Sequence, residues 1–68
     1  MKIEEVKGNM EREVTYSEQK YYLTGCTLRK ERGKFYYQAE IMELTGRSIL
    51  IVPLEKVLVD KTVELWKG

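Results

Sequence analysis

Apolar and polar residues alternate with a period close to two over much of the chain, and β-branched and aromatic residues are plentiful. That pattern predicts strands. The clearest pair is "QKYYLTGCTLRK" (19–30) and "KFYYQAEIMEL" (34–44), which flank "ERG". A two-residue loop at Arg32 and Gly33 sets Leu28 opposite Tyr37, Cys26 opposite Ala39, Thr24 opposite Ile41 and Lys30 opposite Phe35. This mostly apolar set, with Tyr22, is the expected core face. The opposite face pairs Arg29 with Tyr36, Thr27 with Gln38, Gly25 with Glu40 and Leu23 with Met42. It is polar near the tip and apolar near the base. A three-residue loop closed by a left-handed Gly33 is a competing register, and it sets Leu28 opposite Tyr36. A shift of one residue exchanges the faces of a strand, so the first register is preferred because it keeps the apolar side chains together. Gly25 within a strand marks a bulge or bend.

The next turn is "LTGR", centred on Thr45 and Gly46. An antiparallel "RSILIVP" then brings Leu50 opposite Ile41 and Val52 opposite Ala39. Ile49 and Ile51 point the other way, toward Met42 and Glu40. A strand apolar on both faces is normally covered on both, which in so short a chain implies a curled sheet or a subunit interface. Pro53 ends the strand, and "PLEKV" predicts one helical turn over Pro53–Val57. "VLVD" and "TVELW" follow as strands, because Val57, Val59, Thr62 and Val63 are β-branched. The alternative is a β-meander followed by a C-terminal helix over 54–66, with Leu54, Val57, Leu58 and Leu65 on one stripe. At the front, "KIEEVK" and "EREVTY" are expected short strands, and "SEQK" a turn. The reading is thus an all-β single domain over 1–68: an antiparallel sheet of five or six strands, curled as an SH3-like barrel, with a flat dimerising meander as the main competitor.

Composition narrows the function. The chain has 68 residues, one cysteine and no histidine. One cysteine closes no internal disulfide, and one thiol without histidine supplies too few soft ligands for zinc. No cofactor or metal is expected. Without histidine, the usual base near pH 7 is missing, and the glycines are scattered rather than grouped to cradle phosphate. A non-enzymatic protein is the expectation. Cys26, between Thr24 and Leu28 on the core-side face, reads as a small core residue rather than a nucleophile. No apolar run reaches the ~20 residues of a membrane span. The start, "MKIEEVKGNMERE", lacks the apolar centre of a signal peptide. A soluble cytoplasmic protein is expected.

Two kinds of partner suit the remaining side chains. An outer apolar and tyrosine face of Tyr21, Leu23, Met42, Ile49 and Ile51 suits a protein partner or a second copy of the chain, since exposed apolar patches mark interfaces. The basic hairpin, Arg29, Lys30, Arg32 and Lys34 with Tyr36, suits the phosphates and bases of a nucleic acid. A formal net charge of +1 favours the first, because a surface that lives on phosphate contacts normally carries a larger basic excess. Lys30 stands apart from the other cations: it points to the core side and must pass Phe35 to reach solvent.

Overall fold

The computed structural model describes residues Met1 to Asp60 of the 68. Helix α1 (Ile3–Asn9) is followed by strands β1 (Glu13–Tyr16), β2 (Gln19–Glu31), β3 (Lys34–Glu43) and β4 (Ile49–Pro53). A single 3-10 turn over Leu54–Lys56 leads into β5 (Leu58–Val59). The five strands form one antiparallel sheet in the order β4-β3-β2-β1-β5. The all-β reading holds, as does the helical turn after Pro53. A helix running on from residue 54 does not form, because Val57 is extended and Leu58–Val59 pair with β1. The predicted strand "TVELW" lies outside the described residues.

The sheet is curled. Its edges, β4 and β5, would lie roughly 19 Å apart if it were flat, at about 4.8 Å per strand spacing. The link between them contains a 3-10 turn, whose rise of about 2 Å per residue limits its reach to roughly 13 Å. The strands must therefore bend toward each other. Among the described residues no pairing joins β4 to β5, so the sheet is open, and the barrel expected from the sequence is not closed within residues 1–60.

One segment differs in kind from its prediction: "KIEEVK" forms part of α1, not a strand. Its two apolar residues, Ile3 and Val6, are three apart, which is helical spacing. Glu5 reaches back so that its Oε1 accepts the Lys2 N–H at 2.8 Å, and Asn9 Nδ2 donates to the Glu5 carbonyl at 2.7 Å. Acids in the first turn and Lys7 in the last suit the helix dipole. The Met1 amine donates to the Leu54 and Val57 carbonyls, which ties α1 to the 3-10 turn.

Among the described residues the core consists of Val6, Val14, Tyr21, Leu23, Ala39, Ile41, Val52, Leu54 and Val57. Its position is set by a bulge. From the tip inward, β2 and β3 pair as the two-residue loop requires: Lys30 with Phe35, Leu28 with Tyr37, Cys26 with Ala39, Gly25 with Glu40. Between Gly25 and Leu23 the register then shifts, so Leu23 pairs with Ile41 and Tyr22 with Met42. Thr24 is the extra residue, and its Oγ1 donates to Glu40 Oε2 at 2.8 Å. The expected pairs Thr24–Ile41 and Leu23–Met42 are corrected accordingly. Leu23 and Tyr21 turn inward, and Tyr22 moves to the outer face. The Leu23 main chain is held on its far side as well: its N–H donates to Arg12 O and its carbonyl accepts from Glu11 N–H.

The β2–β3 hairpin outruns its cover. A strand rises about 3.3 Å per residue, so thirteen residues span roughly 43 Å. Strand β2 has that length, and the long axis of the molecule is 44 Å. Of the hairpin, β1 covers only Gln19–Tyr22 of β2, and β4 only Gln38–Met42 of β3. Beyond Thr27 and Gln38 the hairpin is, among the described residues, a two-stranded arm.

Candidate functional site

Three of the predicted partner-binding residues share an exposed outer face. Met42 pairs with Ile49 and Glu40 with Ile51, as the sequence predicts. Ile49 and Ile51 are 58% and 56% exposed, and Met42 is half-buried. Tyr21 and Leu23 do not belong to this face, because the bulge places both in the core.

Strand β4 is also an open edge among the described residues. Glu43 N–H donates to Ser48 O, so this pair is hydrogen-bonded. Bonded and non-bonded pairs alternate along an antiparallel ladder. Leu50 and Val52 therefore bond to β3, while Ile49, Ile51 and Pro53 turn their main-chain groups toward the free edge. Side chains and backbone of the same residues are thus presented together.

The second surface is the arm. Arg32 has φ 54° and Gly33 has φ 79°. A two-residue hairpin loop needs this positive pair. Four cations against one anion within Arg29–Lys34 give the tip a formal charge of +3. The rest of the chain, with eight cations and ten anions, sums to −2. Leu28, Phe35 and Tyr37, expected in the core, are exposed; Phe35 is 65% exposed. All three lie on the core-side face, past the point where any element among the described residues reaches to cover them. Lys30 lies over Phe35, with Nζ 5.3 Å from the ring centroid. Such a contact contributes about 0.5–1 kcal/mol when exposed. Arg29 is the cross-strand neighbour of Tyr36, but the cation–ring contact among the described residues is the one at Phe35. The Tyr36 hydroxyl turns to Glu31 Oε1 at a long 3.4 Å.

Between the arm and the body lies an open groove of about 300 Å³, whose lining includes Met1, Ile3, Phe35, Tyr37, Pro53 and Leu54. The sequence offers one signal for these exposed residues. "EVTY" and "ILIVP" are too short to flank a hairpin whose strands run to ten residues and more.

Cys26 is half-buried, and burial pushes its thiol above its ordinary range. Less thiolate forms at neutral pH, so a thiolate-dependent reagent is expected to label the native protein several-fold more slowly than the urea-unfolded chain. Timed alkylation read by mass spectrometry checks this; equal rates would contradict it. Among the described residues no three Cys, Asp or Glu side chains converge as metal ligands, and no helix is long and apolar enough to cross a membrane.

No family model matches the chain, and no curated protein or solved structure is significantly similar to it.

Proposed function

We propose that the chain is a non-enzymatic interaction module that associates with a second copy of itself through β4. The observation that carries this reading is the strand that is an open edge among the described residues, on which Ile49 and Ile51 expose both side chain and backbone. Unpaired edges are templates for further strands. Strand β4 holds no charged residue, so two copies meet without repulsion. An antiparallel two-fold pairing centred on Ile51 sets Ile49 N–H against the partner's Pro53 carbonyl. Such self-complementarity is what a two-fold interface requires. The strand order and the single 3-10 turn before β5 support an SH3-like curled scaffold, and the lone half-buried thiol supports a cytoplasmic setting.

Sedimentation at micromolar concentration tests the reading. The parent chain is expected to run at twice 8.1 kDa. Ile51→Lys is expected to give a monomer with an unchanged circular dichroism spectrum, because the side chain is exposed. A monomeric parent at about 100 μM would remove the proposal, since specific interfaces generally hold well below that concentration.

A further inference from the structure

We propose a second surface with a different partner: the arm is a platform for single-stranded nucleic acid, with Phe35 and Tyr37 as the stacking rings and Lys30, Arg32 and Lys34 as the phosphate contacts, while Arg29 lies on the opposite face with Tyr36. Phe35 and Tyr37 are two residues apart on β3. They therefore share a face, about 6.8 Å apart along the strand. Both open into the groove beside Ile3 and Leu54. Every base has a π-face, and successive bases stack on aromatic side chains arranged in this way beside a basic track. The role expected of Tyr36 passes to these two rings. Tyr36, which also borders the groove, is the less exposed neighbour, has the opposite strand parity and turns its hydroxyl to Glu31.

Charge decides among the possible occupants. A second copy would bring a +3 tip against another +3 tip, so the arm face repels itself. A lipid surface would need the apolar residues at the apex, where it is entered first. Here the apex is Glu31, Arg32, Gly33 and Lys34, and the exposed apolar side chains Leu28, Phe35 and Tyr37 sit behind it. In duplex DNA the base faces are already stacked on one another, so rings set flat on a strand select unpaired bases. Glu31 and Glu55 border the platform and leave the excess positive.

Fluorescence anisotropy with short labelled oligothymidylate and oligouridylate tests the assignment. Three phosphate contacts predict a log–log salt slope of about −2.1, so affinity falls roughly twentyfold between about 50 and 200 mM salt. Phe35→Ala and Tyr37→Ala are each expected to weaken binding about tenfold and to leave the slope unchanged. Arg32→Glu with Lys34→Glu is expected to reduce the slope to about a third. All four side chains are exposed, and circular dichroism confirms that the variants fold. Ile51→Lys is expected to bind as the parent does, which separates this surface from the β4 edge. Four results would overturn the proposal: no binding at low salt, duplex bound as tightly as single strand, ring variants that bind like the parent, or flotation with phosphatidylserine vesicles without oligonucleotide binding.

Discussion

Leu23→Ala is expected to lower the unfolding free energy by about 3–4 kcal/mol, whereas Leu28→Ala changes it by less than about 0.5 kcal/mol. Both leucines lie on β2 and both point to the core side of the sheet. They differ in what covers them. Leu23 is fully buried against Ile41, and its backbone is bonded to Glu11 and Arg12. Leu28 is 52% exposed on the arm. At roughly 0.05–0.15 kcal/mol per residue, a chain of this length has only about 3–10 kcal/mol of stability. Loss of Leu23 therefore removes a large share of it, and part of the population unfolds without denaturant. Urea melts followed by far-ultraviolet circular dichroism compare the two variants directly. Equal losses would mean that the arm is packed and that the bulge at Thr24 does not set the core.

The same two leucines show which parts of the fold are legible in the sequence. The loop at Arg32–Gly33 and the pairing as far as Gly25 are readable, because only that register gathers Leu28, Cys26, Tyr37 and Ala39 on one side. The turn before β4 and the 3-10 turn after Pro53 follow from Gly46 and from the proline. Gly25 reads as a bulge, but nothing in its neighbours shows which residue is the extra one. An extra residue reverses every face beyond it, which is why Tyr21 and Leu23 exchange roles with Thr24 and Tyr22. In α1, two apolar residues are too few to separate a period of two from one of 3.6.

The candidate site is legible by the same logic. Alternation identifies which side of a strand Met42, Ile49 and Ile51 occupy, and the sheet places them there. Alternation does not say whether anything lies above that side. Leu28, Phe35 and Tyr37 have the correct parity for the core and stand beyond its end. Coverage depends on the lengths of neighbouring strands, a non-local property that no window along the chain contains. The rings proposed to stack bases therefore read as core residues in the sequence, while Tyr36, with the opposite parity, reads as the contact.

Ser17→Asn combined with Glu18→Gly is expected to raise the unfolding free energy by about 1–2 kcal/mol, or the melting temperature by roughly 5–15 °C. The turn joining Tyr16 to Gln19 places Ser17 at φ 51° and Glu18 at φ 66°. A side chain with Cβ pays about 1–2 kcal/mol for that conformation. Asn and Gly are the residues that two-residue hairpins of this kind prefer. Part of the gain is offset by the extra freedom that glycine gives the unfolded chain. The tip of the arm carries half of the same conflict: Gly33 already fills the second position, but Arg32 sits at φ 54°. Arg32→Asn is thus expected to stabilise the hairpin by less than the double exchange at Ser17 and Glu18, and to weaken oligonucleotide binding. Local rules tend to be broken where a side chain serves a function. A cation held at a position that favours asparagine is such a break, and a stabilised variant that binds as tightly as the parent would show that Arg32 is not one of the phosphate contacts.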